Sequence, residues 1–112
     1  MTTVLLNSAM MPDEGIYILK RISRDDFGRL VADAYQRGDL HSYVGYPETA
    51  QHIERVSGVP IQVNRAPTKL AADQATILIC KLAYRVADPG MKGKLQPTED
   101  DYEYYVATYT RY

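Results

Sequence analysis

Two stretches of helical period are interleaved with short β-forming runs, and this alternation narrows the possible folds more than any other feature. In residues 24–36, Phe27, Leu30, Val31 and Ala34 recur at spacings of three and four, the period of an amphipathic helix. Ser23 stands ahead of them as an N-cap, with Asp26 as a weaker form of the capping box. Arg37-Gly38-Asp39 ends the stretch. In residues 47–57, Ala50, Ile53 and Val56 mark a second buried stripe. Pro47 suits the first helical position, where its missing N–H is not needed, and Gly58 suits the left-handed position after the last turn. The β-rich runs are residues 3–6, 16–19, 40–44, 60–63, 76–86 and 104–109. The run 76–86 is expected to be the longest strand. Its alternation puts Lys81 and Arg85 on one face and Leu78, Leu82 and Tyr84 on the other. Strands mixed with two helices predict one α/β sheet with helices packed on it.

The length of 112 residues fits a single domain, 1–112, with one core. With 46 % apolar and 24 % charged residues the chain reads as folded. A net charge of −1 provides no long-range field to draw long nucleic acid or a membrane surface, so any anion site must be local. No signal peptide or membrane-length apolar segment is evident, so a cytosolic location is expected. The single cysteine, Cys80, excludes a disulfide framework and a multi-cysteine metal site. Set in Ile77-Leu78-Ile79-Cys80, it reads as a buried structural thiol rather than a nucleophile.

Ten tyrosines stand against one phenylalanine and no tryptophan, and four of them fall in residues 102–109. Tyrosine is apolar in body and polar at its tip. The tyrosine-rich end suits ordinary sheet packing with solvated hydroxyls, or else a dimer contact or pocket wall. His41 and His52 have no neighbour at metal-ligand spacing; His52 is expected to be solvated on its helix, and His41 to sit at a sheet edge. The acidic pairs fall at helix starts or in loops, where capping and the helix dipole account for most of them.

A more informative set is polar and scattered. Asn7-Ser8 end the first strand, and Gly45-Tyr46 open the second helix with Thr49 in its first turn. Asn64-Arg65 follow the segment 60–63, and Lys81 and Arg85 share a strand face. Together these supply cations, amides and helix N–H donors, the groups that hold a nucleotide phosphate.

The segments TVLLNSAMMPDEGIY, SYVGYPETA, GVPIQVNRAP and LAYRVADPG occur in that order between residues 3 and 90, within a likeness that covers residues 3 to about 96. In this they resemble the small viral anti-CRISPR ring nucleases of archaeal viruses and bacterial phages. The resemblance implies a single mixed sheet of about five strands with flanking helices, assembled as a homodimer. It implies cyclic tetra-adenylate, the messenger of type III CRISPR immunity, bound across the dimer and cut without metal or other cofactor. In that chemistry a ribose 2′-OH attacks the adjoining phosphate and a histidine protonates the leaving oxygen. Carried over by motif, Asn7, Ser8, Asn64 and Arg65 would contact the ligand and Arg85 would orient the scissile phosphate. Asp88 would stand near the family's glutamate, in a loop one residue longer here.

The family's histidine position is occupied by Tyr46. Imidazole exchanges a proton readily near neutral pH, whereas a phenol ordinarily titrates at about 10. Losing a tuned general acid costs on the order of 10² to 10⁴ in rate, while the tyrosine ring can stack on a base. The expected function is therefore sequestration in the host cytoplasm of an adenine-containing immune nucleotide, a cyclic oligonucleotide or an ADP-ribose derivative. The alternatives are active cleavage, with Tyr46 or His41 supplying the proton, and a non-catalytic protein-interaction module.

Overall fold

Ser23 marks the change from strand to helix. Its side-chain oxygen accepts the Asp26 amide at 3.1 Å, which satisfies one of the N–H groups left open at a helix start. The computed structural model describes residues 3–7, 15–65, 76–82 and 101–110. The helix after Ser23, α1, spans Arg24–Arg37, with Asp25 and Asp26 in its first turn and Arg37 in its last. That arrangement complements the helix dipole. The second helix, α2, spans Pro47–Ser57 with Pro47 at its start. Both helices close on a glycine, Gly38 and Gly58, each at φ 75°, a left-handed conformation that costs other residues about 1 kcal/mol or more.

The strands are β1 (Thr3–Leu6), β2 (Ile16–Ile22), β3 (Leu40–Ser42), β4 (Thr76–Leu82) and β5 (Tyr102–Thr110). They form one mixed sheet in the order β2-β5-β4-β1-β3. Strand β1 runs parallel to both neighbours, pairing Val4 with His41 on one side and with Ile77 on the other. Strand β5 runs antiparallel to β4 and β2. The sheet and its two helices are thus the α/β architecture expected.

Both helices cover one face of the sheet. Phe27, Val31, Ala50 and Ile53 pack there against Leu5, Leu78, Cys80, Tyr102 and Tyr104. A second cluster of Val4, Leu6, Ile77, Ile79, Ala107 and Tyr109 is buried on the other face. Strands β1 and β4 are therefore buried on both sides, which is why TVLL and ILIC read as unbroken apolar runs. Lys81 shares the face of Ile77 and Ile79, opposite Leu78 and Leu82, as the alternation predicts. Each fully buried Leu or Ile contributes roughly 1.5–3 kcal/mol relative to an exposed one.

The two helices meet closely at Gly28. A β-carbon there would lie 2.5 Å from the carbonyl oxygen of Val56 on α2, so only glycine permits this approach.

Strand β3 stops at Ser42 rather than running to 44, because Val44 leaves the β1 ladder and bridges to Val63 instead, and three further expectations change. Strand β2 runs three residues beyond 16–19, to Ile22, and β5 covers Tyr102–Thr110 rather than 104–109; the added Lys20, Arg21 and Ile22 pair with Val106, Tyr105 and Tyr104, while the added Tyr102 and Glu103 pair with Leu82 and Lys81 of β4. Residues 60–63 do not form a strand: they join the sheet only through a bridge between Val44 and Val63. Pro60 has no N–H to give a ladder, and side chains hold the segment instead. The Ser42 hydroxyl donates to the Gln62 carbonyl at 2.6 Å, and Asn64 Nδ2 donates to the Ser42 carbonyl at 3.1 Å. The third concerns His52, described below. Residues 83–86 of the expected long strand lie outside the described residues; among those described, β5 is the longest strand.

Candidate functional site

At the carboxyl ends of β1 and β3 the chain leaves the sheet twice, at Asn7 and at Tyr43. Open α/β sheets place their ligand crevices at such ends. Asn7, Tyr43, Gly45, Tyr46 and Arg65 line an open groove of about 300 Å³ here, at the lower end of the usual range for ligand sites, ~300–1,000 Å³.

The groove is held by bonds between residues distant in sequence. The Gly45 amide donates to Asn7 Oδ1 at 3.2 Å. Arg65 Nε donates to the Gly45 carbonyl at 2.7 Å. The Arg65 guanidinium lies over the Tyr46 ring, 5.3 Å from its centroid. Gly45 is therefore clamped from both sides, its N–H by Asn7 and its carbonyl by Arg65. This refines the expectation at the turn: the Gly45 N–H is engaged by Asn7 and is not offered to an anion.

Tyr46 is the N-cap residue of α2 and makes no side-chain bond to the first turn. An ordinary N-cap serine or aspartate would fill that turn with its own oxygen. Here the positive end of the helix opens beside the groove. The Tyr46 side chain is 55 % exposed. Arg65, also exposed, donates from Nε to Gly45; a guanidinium has further N–H donors, in a fork that matches a planar anion.

Other expected residues lie elsewhere. Thr49 is buried, 6 % exposed, on the inner side of α2. Asn64 binds the β3 edge, its backbone N–H on the Val44 carbonyl at 2.8 Å and its amide on Ser42. It positions Arg65 rather than lining the groove. Lys81 turns to Glu103, 3.6 Å away, and lies over the Tyr105 ring; Glu103 is its direct cross-strand partner on β5, so the pair is set by register. Ser8, Arg85 and Asp88 lie outside the described residues. Tyr43 is the groove residue that sequence reasoning missed. Its only signal was its place three residues before Tyr46, across a glycine.

His52 is the clearest correction. Expected to be solvated, it is fully buried. Its ring stacks on Tyr102 with centroids 4.0 Å apart, and Nε2 lies 2.6 Å from the Tyr104 hydroxyl. The helical spacing from Thr49 and Val56 already placed it on the inner face; its polar type argued the other way. Tyr102 and Tyr104, both buried, surround it, so this part of the tyrosine-rich strand packs into the core. His41 is exposed on β3, an edge strand, as expected.

Cys80 is fully buried on the helix side of β4. Burial without a compensating charge pushes its thiol up to about 12, so it stays protonated and inert at neutral pH. Among the described residues no group of three or more His, Cys, Asp or Glu could hold a metal ion, and no helix is long and apolar enough to cross a membrane.

The model of the STIV B116-like family matches residues 3–104. Among solved structures, B116 of Sulfolobus turreted icosahedral virus (STIV) is similar to this chain with a TM-score of 0.75 at 19 % identity, over 95 % of this chain and 97 % of that one. At that identity the likeness establishes the fold. No curated protein matches the sequence.

Proposed function

Because this chain belongs to the STIV B116-like family, we propose that it is a viral counter-defence protein that captures an adenine-containing nucleotide signal and holds it intact. The structural relative B116 is the protein of a virus, which supports the viral origin. The motif resemblance to viral ring nucleases supports the ligand class and action in the host cytoplasm. A larger cyclic ligand would need the grooves of two copies, in keeping with the homodimer that the resemblance implies.

The observation that carries the reading is the make-up of the groove. Asn7, Tyr46 and Arg65 come together from three separate segments around one opening. They supply an amide, an aromatic face and a guanidinium beside a helix N-terminus, the fittings for a base and a phosphate. No imidazole is among the groove's described lining residues. His52, only six positions along α2 from Tyr46, is turned into the core and engaged with Tyr104. Binding groups without a general acid tuned near neutral pH favour retention over cleavage. A captured signal is removed from the host as surely as a destroyed one, provided that the protein is abundant and release is slow.

The test is to incubate the protein with cyclic tetra-adenylate, cyclic dinucleotides and ADP-ribose, remove unbound ligand, denature the protein and analyse what is released by mass spectrometry. Release of an intact nucleotide is the expected result. Linear fragments would replace this reading with an active ring nuclease. Retention of no nucleotide at all would overturn it in favour of a protein-interaction module.

A further inference from the structure

Two tyrosine rings, not one, line the groove. Tyr43 and Tyr46 stand on either side of Val44-Gly45 and both border the opening with Arg65. The stretch between them is fixed. The Tyr43 N–H donates to the Leu5 carbonyl at 2.9 Å, which continues the β1–β3 ladder. Val44 is fully buried, and its carbonyl accepts the Asn64 N–H at 2.8 Å. Gly45 is clamped by Asn7 and Arg65. Tyr43 also rests against the Val4–Leu6 side of the sheet, while Tyr46 has Arg65 over its ring. Each ring thus has a partner in the fold, the sheet for Tyr43 and the Arg65 guanidinium for Tyr46, which reduces the freedom lost when a ligand arrives.

We infer that Tyr43 and Tyr46 form an aromatic bracket that reads the base of the ligand, while Arg65 reads its phosphate. This inference rests on the nucleotide reading above and extends it with a specificity residue, Tyr43, and a selection rule. Stacking on an aromatic ring tolerates any base, because every base has a flat π-face. The bracket therefore selects for the presence of a base rather than its identity, and it discriminates against sugar phosphates that carry the same anion.

Adenosine 5′-monophosphate and ribose 5-phosphate separate the two contributions, measured by titration calorimetry and by proton NMR of the ligand. The wild-type chain is expected to bind the adenosine compound more tightly, with its base protons shifted upfield by ring currents. Tyr43→Leu should lower that affinity on the order of 10- to 100-fold, the scale of one lost stacking partner. Ribose 5-phosphate, which has no ring to stack, should be held as before, and Tyr43→Phe should restore the adenosine affinity. Equal binding of the two probes by the wild type, or base protons that do not shift in the complex, would overturn the bracket while leaving an anion groove in place. A Tyr43→Leu variant weakened equally toward both probes would also overturn it, by making Tyr43 a purely structural residue. Binding of neither probe would overturn the bracket and, joined to the absence of any retained nucleotide, the sequestration reading beneath it.

Discussion

The guanidinium of Arg65 lies over the ring of Tyr46, its carbon 5.3 Å from the centroid. The same side chain donates from Nε to the Gly45 carbonyl at 2.7 Å. One residue therefore orients the ring and closes the turn at once. Lysine can do one or the other, because its ammonium is a point charge with no planar fork. Arg65→Lys is expected to weaken nucleotide binding by about tenfold or more with little change in melting temperature. Calorimetric titration beside a thermal melt tests this, and unchanged affinity would remove Arg65 from the site.

Tyr46→His places an imidazole where the resembling family carries its proton donor. With the surrounding groups in place, slow appearance of linear products from cyclic tetra-adenylate is expected, followed by chromatography. If that ligand binds the variant and stays intact, the geometry around position 46 has diverged along with the residue.

The buried pair His52 and Tyr104, 2.6 Å apart, anchors α2 to the sheet. Tyr104→Phe removes the hydroxyl facing His52 Nε2 and should cost about 1–3 kcal/mol. His52→Ala also loses the ring stacked on Tyr102 and should cost more, on the order of 2–5 kcal/mol. Urea unfolding of the two single variants and the double should show non-additivity, since the residues share one contact. Additive losses would mean that the hydrogen bond contributes nothing of its own.

Gly28→Ala sets two effects against each other. Alanine favours an exposed helix interior by about 1 kcal/mol over glycine. Here its β-carbon would meet the Val56 carbonyl oxygen at 2.5 Å, and overpacking of this kind costs about 1–3 kcal/mol. The clash is with backbone, which cannot rotate away, so a lower melting temperature is expected. A more stable variant would show that α1 and α2 can separate without loss.

Cys80 makes stability depend on alkaline pH. Its thiol is raised from 9.0 to about 12 by burial. Between those values the unfolded chain has released this proton and the folded chain still holds it, so unfolding is increasingly favoured as pH rises. Stability contributed by Cys80 is complete below pH 9 and is lost on the way to 12. Denaturant titrations from pH 8 upward, compared with Cys80→Ala, isolate this effect from that of the tyrosines. Equal slopes in the two proteins would refute it. At neutral pH the thiol should resist alkylation until the chain unfolds.

Local chemistry was legible along the chain. Ser23 caps α1, Pro47 opens α2 and Gly58 closes it because each acts on backbone groups within four positions. The alternation on β4 placed Lys81 correctly but could not show that Glu103 would stand opposite it, a matter of register between two strands. His52 has the helical phase of a core position but the residue type of a solvated one; a partner 52 positions away, Tyr104, makes its burial tolerable. The segment 60–63 looked like a strand by composition, yet Pro60 and the hydrogen bonds of Ser42 and Asn64 make it a strap.

By itself the sequence determined the two helices, their caps and the β-forming runs, because those depend on periodicity and turn chemistry among near neighbours. Tertiary structure alone decided that Asn7 would clamp Gly45 from 38 positions away, and that Arg65 would reach back 20 to the same residue. It also decided that Tyr43 would share their groove and that His52 would not. Such pairings are settled by how strands stack into a sheet, and that information is spread across the whole core rather than written at either partner.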